Sequence, residues 1–181
     1  RTRELTRDQE GIAILSRFPV NHMESIALPG PWRVAQRVTV EIESRQLCFA
    51  NTHLHHEPWT NESIRLPQVQ RFMDWVTAQP LPCVMSGDYN AQPHSTTIQH
   101  VKLTHRSAHE AMHGREPDQT YPTPLVQPVP AHSAVIDYLF FSDEALEVRN
   151  CTLIGTQTAP HDDTLCASDH YGVMAEMQWR G

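Results

Sequence analysis

The chain has 181 residues, of which 39% are hydrophobic and 19% are charged. These proportions are ordinary for a globular domain and exclude a fibrous or intrinsically disordered protein. No apolar stretch in the sequence is long enough to cross a bilayer as a helix. The formal net charge of −7 predicts no broad basic face, so a polyanionic substrate would be held locally and through a metal ion. We expect one soluble domain, with the cytoplasm favoured as its compartment.

The first half of the chain predicts strands that are separated by loops. Residues 11–16 form a short apolar run that predicts a strand. Residues 33–43 alternate valine and isoleucine with polar residues, which is typical of a strand with one solvated face. Prolines and a glycine between these two segments predict a loop over residues 17–32. Two further apolar runs, residues 47–50 and 83–86, predict buried strands.

One helix is predicted, over residues 61–78, because apolar side chains recur there at helical spacing. Asn61 or Thr60 is placed to cap its first turn. Prolines and a glycine predict a loop over residues 114–133. The closing strands are predicted at residues 135–141, 146–154 and 172–179. Strands that alternate with a helix, and others that follow one another directly, predict an α/β sandwich with a mixed sheet.

The four cysteines do not have the spacing of a disulfide framework. Cys48 and Cys83 lie in predicted strands, which favours small buried thiols. For Cys151 and Cys166, the sequence leaves open whether the two side chains pair.

Four short polar segments stand at the ends of apolar runs or inside them. They are Asn51-Thr52-His53, Gly87-Asp88-Tyr89-Asn90, Ile136-Asp137-Tyr138 and Ser168-Asp169-His170. Strands of one sheet that carry such residues bring carboxylates, amides and imidazoles to one edge. A hard metal ion and acid–base chemistry both require that arrangement. The pattern therefore predicts a hydrolytic metal site.

In their order and spacing, these four segments resemble the successive signatures of the endonuclease/exonuclease/phosphatase superfamily, the DNase I-like phosphohydrolases. Residues 11–19 and the Arg65-x-x-Gln68 helix segment also resemble stretches that are common in bacterial members. The resemblance spans nearly the whole chain, which we interpret as one domain over residues 1–181. It implies the DNase I-like sandwich fold, Mg²⁺ or Mn²⁺ as cofactor, and a phosphodiester or phosphomonoester substrate, with nucleic acid among the candidates.

The chain departs from the family pattern near its first residues. The family begins with a strand that ends in Asn and another that ends in a metal-binding Glu, usually as Gln-Glu. Here Gln9-Glu10 precedes an apolar run instead of ending one, and only nine residues precede Glu10. We therefore expect the family's N-terminal strands to be missing from this chain, and another segment to complete the fold. The chain alone should be nearly inactive.

The resemblance also implies a role for residues in the four segments. Asp169 is the expected Mg²⁺ ligand, and Asp88 would orient and deprotonate the attacking water or contact a metal ion. Asn90 would donate its amide to a phosphoryl oxygen, and it is a further candidate metal ligand. His170 would contact the phosphate, with Asp137 fixing its tautomer.

Two further residues are predicted to take part less directly. His53 would be a second phosphate contact or an acid. Arg65 would contact the substrate or, equally, be an ion-paired residue of the helix. For Asp88 and Asn90 the alternative is an ordinary turn after a strand, in which both side chains satisfy local backbone groups.

A competing pattern lies at His109-Glu110-Ala111-Met112-His113, which matches the HExxH motif of zinc peptidases. In a helix, His109 and His113 would share a face and hold zinc, while Glu110 activated water. Few apolar residues are available to bury such a helix and Gly114 follows at once, so we favour an ordinary connecting segment. A third hypothesis is an inactive relative or histidine-rich module that binds metal or a phosphorylated ligand.

Overall fold

A six-stranded mixed sheet lies at the centre of the computed structural model, which describes residues 11–56, 61–128, 130 and 132–181. Its strands are β1 Val20–Ala27, β2 Val34–Ile42, β3 Arg45–His53, β4 Cys83–Asp88, β5 Arg106–Ser107 and β6 Asp137–Phe141. They lie in the order β1-β2-β3-β4-β6-β5. β3 and β4 are parallel, and the other neighbouring pairs are antiparallel. The predicted mixed sheet is confirmed.

A second, two-stranded sheet and three helices complete the described fold. Antiparallel strands β7 Leu146–Ile154 and β8 Gly172–Trp179 form the small sheet. The helices are α1 Arg65–Thr77, α2 Thr96–Val101 and α3 Ala108–His113. Helix α1 connects the two parallel strands β3 and β4, as a parallel crossover requires.

Around β4 the central sheet is buried on both faces. Neighbouring residues of this strand point to opposite sides and pack in different clusters. In β4, Met85 packs with Phe72 of α1 in one apolar cluster. Its neighbour Val84 packs in a second cluster with Leu146 of β7, against which Val173 of β8 also packs. Helix α1 thus covers one face and the β7–β8 sheet covers the other, which gives the layered arrangement expected from the sequence.

The turn between β2 and β3 shows how a local signal determines the register of the sheet. Glu43 and Ser44 form a two-residue connection and have φ angles of 54° and 60°. Such left-handed pairs match the twist of a tight antiparallel hairpin. Ile42 therefore lies opposite Arg45, and the register continues along both strands.

Two segments near the start differ from the prediction. Residues 11–16 do not form a strand, and Leu15 is 96% exposed, so the apolar run does not mark a buried element. Strand β1 lies instead within the predicted loop of residues 17–32. It is an edge strand that pairs with β2, and most of its residues are exposed. Its sequence therefore does not alternate apolar and polar residues as a half-buried strand does.

The helices also differ from the prediction in part. Helix α1 begins at Arg65 and not at residue 61, and no side chain caps its first turn. Asn61 accepts instead from the N–H of Ser63 in a local turn. The short helices α2 and α3 are additions, and each begins after a serine, Ser95 or Ser107, that accepts a hydrogen bond from the first turn.

All four cysteines are buried free thiols, so Cys151 and Cys166 do not pair. Cys48 and Cys83 lie opposite each other in β3 and β4. Gln9-Glu10 and Thr60 belong to the residues that the structure does not describe, and the expectations for them stay predictions. Among the described helices, none has the length and apolar character that crossing a membrane requires.

Candidate active site

The register of three neighbouring strands places three of the predicted site residues in one row. His53 at the end of β3 lies opposite Asp88 at the end of β4. Asp88 in turn lies opposite Asp137 at the start of β6. Residues directly opposite each other in a sheet project to the same face, so these three side chains meet although they are far apart in sequence.

Gly87 allows this row to form. Its φ angle is +152°, and a Cβ at this position would lie 2.0 Å from the carbonyl oxygen of Thr52. No side chain fits there, so only glycine lets β4 approach β3 this closely just before Asp88.

A hydrogen bond joins Asp137 to His170, whose loop directly precedes β8. The Nδ1 atom of His170 lies 2.8 Å from Oδ2 of Asp137. Because a carboxylate only accepts, Nδ1 carries the proton and Nε2 is the nitrogen left for another partner. Burial lowers the pKa of His170, but the hydrogen bond and charge of Asp137, with the charges of Asp88 and Asp169, outweigh burial and raise the pKa.

Asp88 lies between these groups and is the most perturbed carboxylate of the row. Burial, followed by the negative charge of Asp137, raises the pKa of Asp88 to about 7. The N–H of Asn90 donates to its Oδ1 at 2.8 Å, and Nε2 of His53 lies 3.3 Å from its Oδ2. A carboxylate held this way gains a proton or a cation easily, as catalytic bases and metal ligands do.

Asp88, Asp137 and His170 bring two carboxylates and an imidazole together, a set of residue types that could hold a metal ion. One potential ligand atom from each residue lies within 4.8 Å of those of the other two. In the part of the chain that the structure describes, this is the one such cluster of three residues. Burial is the larger cause of the raised pKa of Asp88, and the negative charge of Asp137, which a bound cation would neutralise, is the second. Carboxylate oxygens suit Mg²⁺ or Mn²⁺, whereas Nδ1 of His170 is bonded to Asp137 and is not a ligand in this arrangement.

Asn90 lies next to this group and is tightly held. It is 4% exposed and has a left-handed backbone with φ of 48°. Its side-chain amide donates to the carbonyl of Leu54 at 3.0 Å. Of the two amide N–H groups, one remains for the phosphoryl contact predicted for this residue.

Asp169 is exposed, and its carboxylate is not part of the three-residue group. Oδ1 of Asp169 accepts from the hydroxyl of Ser168 at 3.2 Å, and its backbone carbonyl accepts from Thr123. Its negative charge nevertheless contributes to the raised pKa of the adjacent His170. Its role as a metal ligand therefore stays a prediction.

Arg65 forms an ion pair with Glu62, and its predicted contact with substrate stays a prediction. It is fully buried, so it does not present its guanidinium to a substrate in this structure. One nitrogen donates to Glu62 at 3.1 Å, and another contacts the carbonyl of His55 at 3.5 Å. The ion pair and burial make Arg65 a support for the segment after β3.

The HExxH pattern does form a helix, α3, and the rings of His109 and His113 lie 4.5 Å apart between centroids. Each ring is already hydrogen-bonded to a backbone carbonyl, that of Arg115 for His109 and that of Cys151 for His113. Glu110 forms an ion pair with Lys102 at 2.7 Å. No cluster of three potential metal ligands includes these histidines among the residues described.

Two residues beside the site carried no signal in the sequence. Arg33 is buried and contacts His56 at 3.3 Å. Its positive charge lowers the pKa of Asp88, but the burial of Asp88 has the larger, opposite effect. Thr120 lies in the predicted loop of residues 114–133 and is fully buried. A buried arginine and a buried loop threonine become visible only when the fold is known.

Comparison with solved structures finds the same fold in proteins of several kinds. The human nocturnin catalytic domain with bound sulfate matches with a TM-score of 0.68 and 25% identity, covering 91% of this chain and 61% of that one. Zebrafish (D. rerio) TDP2 complexed with a single-stranded DNA product matches with a TM-score of 0.74 and 17% identity, covering 90% and 69%. A mannosyl-6-phosphatase of Bacteroides thetaiotaomicron matches with a TM-score of 0.69 and 15% identity, covering 89% and 67%.

The chain thus spans less than two thirds of the nocturnin chain and about two thirds of the other two. A search of curated proteins found no match. The family model described as "Endonuclease/Exonuclease/phosphatase family" matches residues 3–170, which include all four polar segments. The fold, the segments and this match agree, and the chain belongs to the endonuclease/exonuclease/phosphatase family.

Proposed function

We propose that this protein hydrolyses phosphate esters with the help of a divalent cation, Mg²⁺ or Mn²⁺. The observation that carries the proposal is the convergence of the Asp137–His170 hydrogen bond and the Asp88 carboxylate on one edge of the sheet. The family includes nucleases and phosphatases, which supports phosphoesterase activity in general and no particular substrate.

Asp88 is the proposed general base. The pKa of about 7 lets its carboxylate accept a proton from water near neutral pH, which is the value that makes a base effective. The backbone N–H of Asn90 orients the carboxylate, and the imidazole of His53 lies within ion-pair distance of its other oxygen. The proton that Asp88 takes can therefore be shared with His53.

His170 is the proposed donor to the phosphoryl group. With Nδ1 bound to Asp137, a protonated imidazole presents Nε2–H as a charged donor, and the raised pKa of His170 favours this form. Hydrogen bonds from charged donors are the strong ones for phosphate oxygens. Asp137 would fix the ring and stabilise its positive charge, while the free N–H of Asn90 supplies a neutral donor.

The proposed cation ligand is the carboxylate of Asp169, with Asn90 as a further candidate. Asp88 would contact the cation as the alternative to its role as base. When bound, a divalent cation would neutralise charge on the phosphoryl oxygens and lower the barrier to attack by water. The chain's own contribution is to gather carboxylates at a half-buried place where their mutual repulsion favours a cation.

The substrate is proposed as a class and not as a compound. Solved relatives include one with single-stranded DNA product and one that is a mannosyl-6-phosphatase, so both diester and monoester substrates are candidates. The net charge of −7 disfavours a nonspecific binder of DNA. Residues 55–63 and 114–133, which flank the site in sequence, are proposed to select the substrate.

A substrate panel on the full-length protein tests the proposal. Plasmid DNA, RNA, bis-p-nitrophenyl phosphate, inositol phosphates and sphingomyelin would each be assayed with Mg²⁺, with Mn²⁺ and with EDTA. We expect hydrolysis of at least one substrate that EDTA abolishes and Asp88→Asn reduces. Asp74→Asn, an exposed carboxylate of α1, is the matched control and should act like wild type. EDTA-resistant hydrolysis contradicts metal dependence, and phosphate-ester binding without turnover favours the inactive-relative hypothesis.

A further inference from the structure

Thr120 holds the backbone from which Asp137 projects. The residue is fully buried, and its Oγ accepts hydrogen bonds from the N–H groups of Ile136 and Asp137 at 3.0 and 3.1 Å. Its own N–H donates to the carbonyl of Ala134 at 2.8 Å. One side chain thus supplies the acceptor for two successive backbone donors at the point where β6 begins.

The same residue also holds the backbone beside His170. The carbonyl of Thr120 accepts from the N–H of Tyr171, the next residue after His170, at 2.7 Å. Asp137 and His170 come from segments 33 residues apart, and Thr120 bonds to both segments. Thr120 therefore links by hydrogen bonds the two backbone segments from which Asp137 and His170 project.

The three residues after Thr120 extend this connection. The hydroxyl of Thr123 donates to the carbonyl of Ser168 at 2.6 Å, and its N–H donates to the carbonyl of Asp169 at 2.9 Å. Between the two threonines, the ring centroid of Tyr121 lies 4.8 Å from that of His170. We call residues 120–123 the clasp, since it contacts every residue from Ser168 to Tyr171 in turn.

We propose that the clasp is a positioning element for the proposed phosphohydrolase reaction, with Thr120 as the positioning residue of the Asp137–His170 pair. The expected changes in kinetics rest on the proposed function. The expected structural changes rest on the hydrogen bonds alone. Replacing Thr120 by valine keeps the shape but leaves two N–H groups without their acceptor. A displacement of about 1 Å in a catalytic group costs on the order of a hundredfold in rate.

The test compares Thr120→Val with Thr120→Ser in the full-length protein. For valine we expect kcat to fall about 10- to 100-fold with KM nearly unchanged, because the substrate still binds while the pair is misplaced. Serine keeps the acceptor oxygen and should restore kcat to within about threefold of wild type. Thr97→Val is the matched control, because Thr97 is also fully buried and donates its hydroxyl to Glu62, away from the clasp.

A spectroscopic measurement separates positioning from general loss of stability. The proton that His170 shares with Asp137 should give a strongly deshielded NMR signal in wild type, Thr120→Ser and Thr97→Val. In Thr120→Val this signal should move upfield or disappear, while the other amide signals keep the pattern of a folded protein. If no phosphate ester is hydrolysed by wild type, the proposed function fails, but this NMR comparison still tests the clasp.

A folded Thr120→Val protein with unchanged kcat and an unchanged His170 signal would overturn the proposal. If that variant does not fold, Thr123→Val decides. It removes the hydroxyl that donates to the Ser168 carbonyl and accepts from the Leu125 N–H, and it keeps the backbone bond to Asp169. We expect it to lower kcat about three- to tenfold and to shift the His170 signal. A Thr123→Val protein whose kcat and His170 signal are both those of wild type would contradict the positioning role.

Discussion

The sequence offers two histidine–carboxylate patterns as metal sites, and of these two the sheet edge, not α3, gathers its residues into one cluster among the residues described. At the sheet edge, His53, Asp88 and Asp137 come from three strands and meet in one row. On α3, His109 and His113 lie one turn apart, and each ring is bonded to a backbone carbonyl. Short spacing in the sequence therefore says less about chemistry than convergence of distant residues on a shared, half-buried place.

The largest contrast between the two regions should appear in turnover. In the full-length protein, Asp88→Asn or His170→Ala should lower kcat by at least about a hundredfold, the scale of lost acid–base help. His109→Ala combined with His113→Ala should leave kcat nearly unchanged. Steady-state kinetics with circular dichroism as a folding check measures both. Loss of activity in the α3 pair with normal activity in the sheet-edge variants would reverse the assignment.

Stability should separate the glycines of the two regions. Gly87→Ala places a Cβ against the Thr52 carbonyl and should lower the free energy of unfolding by at least about 3 kcal/mol. Gly114, which ends α3, has φ of +77° but no atom within 4 Å of the added Cβ. Gly114→Ala should cost only the backbone strain, about 1–2 kcal/mol. Urea unfolding tests the pair, and equal losses would show that space at Gly87 is not limiting.

Within the sheet-edge site, the partner of His170 should matter less than His170 itself. Asp137→Asn keeps the size of the side chain but removes the charge that stabilises a protonated imidazole. We expect kcat to fall about 10- to 100-fold, less than for His170→Ala. Kinetics of the single variants and of the double variant measures the coupling. Additive losses would show that Asp137 does not act through His170.

The histidine of α3 that bonds to β7 should have a small structural effect only. His113→Ala removes the hydrogen bond to the Cys151 carbonyl and should lower the free energy of unfolding by about 1 kcal/mol. Activity should not change. Thermal unfolding and kinetics on the same preparation check both statements, and a large loss of activity would connect α3 to the site.

The smallest effect concerns two histidines with opposite pKa shifts. Burial lowers the pKa of His105, whereas Asp137 and neighbouring carboxylates outweigh burial and raise the pKa of His170. An NMR titration of the metal-free protein should therefore show His170 protonating at higher pH than His105. Because folding lowers the pKa of His105, its contribution to the free energy of unfolding is fully present above the unfolded pKa of about 6.5. This contribution is lost as the pH falls below that value. The reverse order of titration would contradict the assignment.

Sequence patterns predicted much of the fold, since apolar alternation marks strands such as β2 and the spacing in α1 marks a buried helix face. They did not predict β1, because an edge strand with little burial has no apolar period. They also missed α2, whose six residues are too few for a recognisable repeat. Strands and helices are thus predictable from the sequence where one face of the element is extensively buried.

The site was predictable in composition but not in arrangement. The polar segments were visible beside apolar runs, and the Asp137–His170 pair followed from the family resemblance. The distances between these residues required the register of β3, β4 and β6. Burial of Arg65 and the hydrogen bonds of Thr120 had no counterpart in a local pattern. Both depend on which distant segments happen to pack against them, which one sequence does not reveal.

The pairing of β3 with β4 has a consequence for the order of folding. A parallel pair with a helical crossover has high contact order, and closing such loops is slow because chain entropy is lost before contacts compensate. Asp137 and His170 must then close a further separation of 33 residues. Asp88, Asp137 and His170 therefore meet only after the non-local contacts of the sheet have formed, and a partly folded chain lacks this cluster.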